Sequence, residues 1–257
     1  MQFSFQPLQI LPILLQKDVT RGDDIGGLIM NVINETRISL KDHDILVVTQ
    51  KIISKSEGRV LDLSTVKPSL RALEVARKTS KDPRFVELVL TESRNLVRYS
   101  DNLIITETKH GFVCANSGID QSNINSHGGS FVSLLPVDPD LSAKRIRQTI
   151  SKNTGLNLAV VVSDTFGRPF RLGQTNVAIG VSGMDSIKSY IGKTDMYGNM
   201  LRITEIAVAD EIASAAELVM GKTERVPIAI IRGYEFSPME TGSAKSLVRD
   251  RVYDLFR

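Results

Sequence analysis

The chain has 257 residues, a formal net charge of +3 and 42% hydrophobic residues. This length allows one large domain or two small ones, and the apolar content is enough for a sizeable core. The small net charge gives no basis for nucleic-acid binding. Tryptophan is absent and aromatic residues make up only 5%, so few side chains could stack on single-stranded bases.

The cysteine content and the N-terminus indicate where the protein works. Cys114 is the single cysteine, which rules out an intrachain disulfide and a cysteine-based metal site. Residues 1–7 lack the charged start of a signal peptide. The apolar stretch Ile10–Leu15 is interrupted by Pro12 and is too short to span a bilayer. We therefore expect a cytoplasmic protein with no membrane partner.

The first half of the chain alternates between strand and helix signals. Ile45–Thr49 is a short apolar run that predicts a buried strand. The spacing predicts a helix over Pro68–Lys78, with the proline in its first turn. Asp82 caps a second predicted helix, whose apolar pattern continues to Val97. A strand pair is predicted at 103–106 and 111–115.

The second half also mixes both element types. Strands are predicted at 156–162, 174–180 and 226–232, and helices at 140–151, 204–220 and 245–256. Thr204 caps the long helix and Gly221 stops it. Without a regular βαβ rhythm, we predict the α+β class, with mixed or antiparallel sheets and packed helices, rather than a doubly wound Rossmann sheet.

Two familiar site patterns are missing. The tripeptide that starts at Gly221 resembles the end of a P-loop, but Ala216 occupies the position of the first glycine and the tripeptide follows a helix instead of preceding one. The fold is therefore predicted not to be of the P-loop type. The histidines are not spaced for a metal site and are expected to be structural or exposed; they are His43, His110 and His127.

An acid and a hydroxyl follow the apolar run 156–162. Asp164 and Thr165 are placed where that strand is expected to end, and Arg168 and Arg171 come next. A carboxylate and a hydroxyl can hold a divalent metal, and guanidinium groups can grip phosphate or carboxylate oxygens. The alternative is a strand-end turn with surface arginines.

Two further polar clusters could join this site. Asp120 and Asn123 belong to the segment 116–123, which is rich in polar residues and glycine and follows an apolar strand. The alternative for this segment is an Asx-rich turn. If the strand at 45–49 continues, Lys51 and Lys55 share one of its faces and could meet phosphates. The alternative for the lysines is a solvated edge strand.

Together these clusters resemble a known family, the coenzyme F-420-0:L-glutamate ligases, which are GTP-dependent γ-glutamyl ligases of deazaflavin cofactor synthesis. The matching stretches run in order over nearly the whole chain: 47–59, 81–84 with 92–93, 110–123, 163–175 and 209–222. The glycine-containing motifs among them are long and unusual, which makes the resemblance specific.

The resemblance implies an intertwined homodimer with an active site in a cleft near the subunit interface. It also implies GTP, Mg²⁺ or Mn²⁺, and K⁺ as a further cation. The implied metal ligands are Asp120, Asp164 and Thr165. The implied GTP contacts are Leu11, Pro12, Ile13, Leu14, Gln50, Lys51, Lys55, Asn123, Met220, Gly221, Lys222, Thr223, Glu224, Arg225, Val226 and Pro227. Family members use an oxygen-bearing side chain after Met-Gly as a further ligand, but this chain has Lys222 there, so that ligand stays open.

The implied reaction adds L-glutamate to coenzyme F-420-0 through a γ-linked amide, by way of an acyl phosphate. Lys51 and Lys55 would hold phosphates, and Arg168 and Arg171 would be catalytic by gripping the acidic deazaflavin tail or glutamate. Residues 1–257 are expected to form one ligase domain, divisible into two subdomains, without a C-terminal flavin domain.

Two other functions fit parts of the pattern. A metal-dependent phosphohydrolase could use the same acids on a nucleotide or a phosphomonoester without needing glutamate. A nucleic-acid-binding module could use the lysine and arginine surface and would show steep salt dependence. The low aromatic content and the small net charge argue against the second.

Overall fold

The computed structural model describes residues 7–36, 38–124 and 130–255. The expectations for residues 1–6, His127 and Phe256 lie outside this part of the chain. Within the described ranges, no helix is long and apolar enough to cross a membrane.

Strands and helices alternate irregularly along the chain. The strands are β1 (Gln9–Ile13), β2 (Ile45–Thr49), β3 (Val60–Asp62), β4 (Ser93–Ser100), β5 (Leu103–Thr108), β6 (Val113–Ala115), β7 (Phe131–Ser133), β8 (Ala159–Arg168), β9 (Arg171–Met184), β10 (Lys188–Ser189), β11 (Glu205–Ile206), β12 (Ile228–Arg232) and β13 (Pro238–Met239). The α-helices are α1 (Ile25–Glu35), α2 (Gln50–Ser56), α3 (Leu70–Thr79), α4 (Pro83–Thr91), α5 (Pro139–Thr154) and α6 (Val208–Met220). Short 3₁₀ turns occur at Leu63–Thr65, Asn116–Gly118, Ala244–Leu247 and Arg251–Tyr253.

The largest sheet is six-stranded, in the order β1-β12-β2-β8-β9-β13. β2 and β8 run parallel, and the other neighbours run antiparallel. Alternate residues of β2 point to opposite faces, so Leu46 and Val48 pack with α1 and α5 while Ile45 and Val47 pack with α6. Burial on both faces explains the continuous apolar run of β2. The α+β prediction with a mixed sheet is confirmed.

A second, smaller core lies beside the main sheet. Phe85 and Val86 of α4 and Val75 of α3 pack against Ile104 of β5 and Val132 of β7. This core is bounded by the three-stranded sheet β4-β5-β6 and the two-stranded sheet β3-β7. The chain therefore builds two hydrophobic units, and residues of both line the candidate site.

Several local predictions are confirmed by their capping geometry. The Asp82 carboxylate accepts a hydrogen bond from the Arg84 amide at 2.8 Å, and Pro83 is the first residue of α4. Gly221 ends α6 with a positive φ of 56°. The strands β5 and β6 form the expected antiparallel pair.

Two predicted helix boundaries are wrong. α4 ends at Thr91, and Val97 lies in β4, because residues 93–100 pair with β5 instead of continuing the helix. α6 begins after Ala207 and not at Thr204, because Glu205–Ile206 form β11 and pair with β10. Pairing with a neighbouring strand outweighs helix propensity at both places.

The predicted C-terminal helix at 245–256 is also wrong. Its described part forms only the two short 3₁₀ turns that begin at Ala244 and Arg251. The large apolar side chains near its end, Val252, Tyr253 and Leu255, are exposed. Leu247 packs against the core that contains α6. Most helical stability in proteins comes from packing a continuous apolar face, and the exposed residues 251–253 provide none.

Gly180 of β9 allows α5 to lie directly on the sheet. A Cβ atom at this position would overlap the backbone carbonyl of Pro139, at the start of α5. We expect Gly180→Ala to destabilise the protein by about 3 kcal/mol, at the upper end for overpacking, because backbone cannot move aside as a side chain can. Gly167→Ala on the same hairpin is the control, since no atom lies within 4 Å of the added Cβ. Urea denaturation measures both variants, and equal midpoints would contradict the close approach.

Candidate active site

A cleft of about 920 Å³ is lined by residues of both hydrophobic units, among them Ile52 and Ile119. Its walls come from α2, from the segment after β6, from β8 and from the turn after α6. The three polar clusters singled out in the sequence span more than a hundred positions, and all contribute side chains to this cleft.

Asp164 and Thr165 lie inside a strand, which corrects the expectation that they begin a loop. β8 continues to Arg168 as one arm of a hairpin, and Asp164 pairs with Val177 and Thr165 with Asn176 of β9. The apolar run ends at Val162, but the backbone ladder goes on, because polar side chains do not interrupt strand pairing. A strand holds both groups more rigidly than a loop would.

Lys51 and Lys55 lie on a helix, and the expected continuation of the strand is wrong. α2 starts directly after β2, and the buried Gln50 side chain accepts a hydrogen bond from Ser54 at 2.7 Å. Residues four apart share a helix face, so the lysines still lie side by side and both line the cleft. Ile53 is buried in the core.

The Asp120 carboxylate is held by Lys51. The Lys51 ammonium donates to Asp120 Oδ2 at 2.6 Å and to the carbonyl of Ser122 at 2.9 Å. The Ser122 amide donates to the other carboxylate oxygen at 2.8 Å. Partial burial opposes ionisation, but these hydrogen bonds and the Lys51 charge outweigh it, so the pKa of Asp120 lies below its ordinary value. Asp120 is therefore a stable anion at neutral pH.

Asp164 is in the opposite electrostatic situation. Burial raises its pKa to about 6, and the nearby Asp120 carboxylate adds to that rise. The Thr165 amide and the charges of Lys51 and Lys222 act in the other direction without cancelling it. Two carboxylates facing one cleft with different proton affinities are typical of functional sites.

A chain of hydrogen bonds links Thr165 to α6. Thr165 Oγ1 donates to the Asn176 amide oxygen at 2.7 Å, and the Asn176 amide nitrogen donates to Glu217 at 2.8 Å. The Lys222 ammonium donates to Thr165 Oγ1 at 2.7 Å and lies 2.9 Å from the Glu217 carboxylate. The four side chains close a ring at the cleft wall.

Two cations of the cleft are available for a ligand. Among the described residues, Lys55 and Arg225 have neither an ion pair nor a side-chain hydrogen bond, and both line the cleft. Unpaired positive charge in a concave site favours an anionic ligand.

The structure gathers most of the predicted site residues in this cleft. Those that line it are Lys51, Lys55, Asp120, Asn123, Asp164, Thr165, Met220, Gly221, Lys222, Thr223, Arg225, Val226 and Pro227. Those outside its lining are Leu11, Pro12, Ile13, Leu14, Gln50, Glu224, Arg168 and Arg171. Leu15, next to the first of these segments, does line it.

Two site residues escape local sequence reasoning. Asn176 and Glu217 line the cleft and connect Thr165 to Lys222. Glu217 did carry a signal, because an acid in the last turn of α6 opposes the helix dipole and needs a compensating partner. Asn176 carried none beyond being polar in a strand.

The turn Asn116–Gly118 is strained and also lines the cleft. Asn116, Ser117 and Gly118 all have positive φ, between 52° and 70°. The buried Asn116 Oδ1 and Ser163 Oγ have no hydrogen-bond partner within the described ranges. Left-handed backbone and unsatisfied polar atoms concentrate at binding sites, where a ligand completes them.

The acidic residues suit a hard divalent cation that is shared with a ligand. Carboxylate oxygens are the donors that Mg²⁺ and Mn²⁺ prefer. In the described part of the chain, no group of three or more His, Cys, Asp or Glu side chains could hold a metal. Asp120 and Asp164 therefore fit a site that is completed by water and ligand oxygens, which is common for Mg²⁺ with phosphates.

Comparison with known proteins shows the family to which the chain belongs. The sequence profile described as "F420-0:Gamma-glutamyl ligase" matches residues 14–233. A coenzyme F420:L-glutamate ligase of Methanothermobacter thermautotrophicus is 47% identical, covering 93% of this chain and 94% of the relative. Relatives of the same name from Methanocaldococcus jannaschii and Methanopyrus kandleri are 46% and 40% identical, covering 85% and 97% of this chain and 86% and 98% of their own length. This chain belongs to the F420-0:gamma-glutamyl ligase family.

Proposed function

We propose that this protein adds L-glutamate to coenzyme F-420-0 through γ-linked amide bonds, using GTP and a divalent metal. The observation that carries the proposal is the meeting of Asp120 and Asp164 with the unpaired cations Lys55 and Arg225 in one cleft. Acids for a metal and free cations for phosphates are the parts that phosphoryl transfer needs.

The first step activates a carboxylate, which is otherwise a poor acyl donor. An oxygen of the acceptor's carboxylate attacks the γ-phosphorus of GTP, the bond between that phosphorus and the β–γ bridging oxygen breaks, and GDP leaves. Lys51 and Lys55, side by side on α2, would hold the phosphates in line for this attack.

The second step forms the amide. The amine of glutamate attacks the acyl carbon, the bond to the phosphate oxygen breaks, and phosphate and a proton are released. No protein nucleophile is needed. The cysteine of the cleft is unsuited to that role, because burial raises the pKa of the Cys114 thiol to about 12.

Asp120 and Asp164, which both line the cleft, would be the protein ligands of the divalent metal. A bound divalent cation supplies charge neutralisation at the phosphate oxygens. The Lys51 ammonium, which donates to Asp120 at 2.6 Å, would bind a phosphate oxygen when a metal neutralises that carboxylate.

Mass spectrometry tests the function directly. The protein is incubated with coenzyme F-420-0, L-glutamate, GTP and Mn²⁺ or Mg²⁺, and we expect a product heavier by one or more glutamate residues, with one GDP formed per amide. ATP in place of GTP is the matched control. With ¹⁸O in the acceptor carboxylate, the acyl-phosphate route requires ¹⁸O in the released phosphate. GTP hydrolysis at the same rate without glutamate would favour the phosphohydrolase instead.

Arg168 and Arg171 lie at the tip of the β8–β9 hairpin. The Arg168 guanidinium donates to the carbonyl of Leu172 at 2.7 Å and so shapes the turn. Arg171 is exposed and starts the returning strand. We propose that Arg171 grips the acidic tail of the acceptor or glutamate.

Arg171→Lys keeps the charge but loses the planar fork that binds a carboxylate through two hydrogen bonds. We expect the KM for glutamate or for the deazaflavin to rise about tenfold, with the KM for GTP unchanged. Steady-state kinetics at saturating GTP measure this. Unchanged constants for both substrates would mean that Arg171 is merely solvated.

We also propose a homodimer. Large apolar side chains are exposed at the hairpin tip and along the segment between β10 and β11; they include Leu172, Met196, Tyr197 and Ile203. Several large exposed apolar side chains are typical of an interaction surface. Light scattering after size exclusion should give twice the 28.3 kDa chain mass, and Leu172→Asp together with Ile203→Asp should shift the mass towards the monomer.

A further inference from the structure

The hydroxyl of Thr165 already has two polar partners. A threonine hydroxyl has one proton to donate and two lone pairs. Its proton goes to the Asn176 amide oxygen at 2.7 Å, and one lone pair accepts from the Lys222 ammonium at 2.7 Å. Only one lone pair remains, and the lysine lies directly beside it.

The Lys222 ammonium has a second partner. It lies 2.9 Å from Glu217, whose carboxylate also accepts from Asn176 at 2.8 Å. Glu217 thus orients both groups that contact Thr165. Lys222 follows directly after the positive-φ residue Gly221, which ends α6 and turns the chain into the cleft.

A divalent cation on Thr165 would lie too close to this lysine. Metal–oxygen distances of about 2.1 Å for Mg²⁺, added to the 2.7 Å from the same oxygen to Lys222 Nζ, place the two cations at most about 4.8 Å apart. Like charges at that separation in a partly buried cleft repel strongly. Thr165 can hold the lysine or a metal, but not both.

We propose that the Lys222 ammonium is a built-in cation that takes the place of a divalent metal at Thr165. The protein then binds one divalent metal per protomer, at Asp120 and Asp164, and supplies the second positive charge of the site from its own chain. The catalytic purpose of that charge rests on the proposed ligase function, since it would face the transferred phosphate. The metal count itself does not depend on the substrate.

Metal stoichiometry tests the inference. Mn²⁺ binding to the full-length protein is measured by calorimetry, with equilibrium dialysis and elemental analysis as a second count. Wild type is compared with Lys222→Gln, which removes the charge and offers an oxygen ligand. Lys55→Met is the matched control, because it removes a cation of the same cleft that does not contact Thr165.

We expect one Mn²⁺ per protomer in wild type and in Lys55→Met, and two in Lys222→Gln. Adding Thr165→Val to Lys222→Gln should return the count to one. In electron paramagnetic resonance, a second Mn²⁺ close to the first should broaden the spectrum of Lys222→Gln alone. Two Mn²⁺ per wild-type protomer, or an unchanged count in Lys222→Gln with folding verified by circular dichroism, would overturn the inference.

The glutamate-addition assay is scored separately. If the proposed function is wrong, wild type will form no amide product with any metal or nucleotide. A count of one in wild type and two in Lys222→Gln would support the built-in cation whatever reaction the protein catalyses.

Discussion

Asp164→Asn is expected to abolish glutamate addition and, at the same time, to stabilise the metal-free protein. The carboxylate lies in a buried part of the cleft near Asp120, and burial raises its pKa to about 6. An asparagine keeps the shape but removes a charged metal ligand, so we expect the turnover number to fall by about three orders of magnitude or more, as when a charge-stabilising group of a phosphoryl-transfer site is lost. The same substitution removes a poorly solvated charge from the native state.

The pH dependence of stability follows from the direction of the Asp164 shift. The native state keeps this proton up to about pH 6, whereas the unfolded chain releases it near the ordinary value of 3.8. Between these values the native state binds more protons, so stability falls as pH rises through the window. Because the group partly faces the open cleft, we expect a cost of about 1–3 kcal/mol at pH 7, which the asparagine variant avoids.

Urea denaturation from pH 4 to pH 7 with a chelator present measures this effect. Asp18→Asn, which removes another carboxylate of the cleft lining, is the control for the loss of one negative charge from the cleft. An Asp164→Asn variant that turns over normally at limiting metal would remove Asp164 from the site. If the stability of Asp164→Asn instead equals that of wild type at all pH values, the Asp164 carboxylate is well solvated.

Lys51→Met is expected to lower nucleotide affinity by about a hundredfold, because a charged hydrogen bond to phosphate contributes about 1.5–3 kcal/mol. It should also destabilise the metal-free protein by about 1 kcal/mol. The second effect arises because Lys51 holds Asp120 at 2.6 Å, and its loss leaves that carboxylate without its cation. Lys55→Met removes a neighbouring cation of α2 that has no such partner among the described residues, so it should weaken nucleotide binding without affecting stability.

Calorimetric titration of each protein with GDP in the presence of Mg²⁺ gives the nucleotide affinities. Urea denaturation gives the free energies of unfolding. Equal GDP affinity in wild type and both variants would separate α2 from the nucleotide site. Equal stability of the two variants would mean that the contact between Lys51 and Asp120 contributes nothing measurable.

The sequence by itself determined the elements whose signals are local. The run Ile45–Thr49 is buried on both faces of the main sheet, and an apolar run of that length indicates such a strand without any knowledge of its neighbours. Asp82 and Gly221 marked a helix start and a helix end, because capping depends on adjacent backbone groups. Long motifs such as 110–123 and 163–175 identified the family.

The two lysines of α2 lie side by side, as predicted, although they lie on a helix and not on the strand considered in the sequence analysis. Residues 51 and 55 share a face in a strand, because they are an even number apart, and in a helix, because they are four apart. The proximity of the two lysine side chains was therefore predictable, but the direction in which they point was not. Only the packing of Ile53 into the core shows which side of α2 faces the cleft.

The tertiary structure alone decided the charge arrangement of the site. Thr165 meets Lys222 across 57 positions of sequence, and Asn176 meets Glu217 across 41. Hydrogen bonds of this kind depend on how β9 and α6 pack, and no local pattern encodes that packing. The pKa values of Asp120 and Asp164 move in opposite directions for the same reason: both are aspartates beside polar residues in the sequence, and only the fold gives one a lysine partner and the other a buried position.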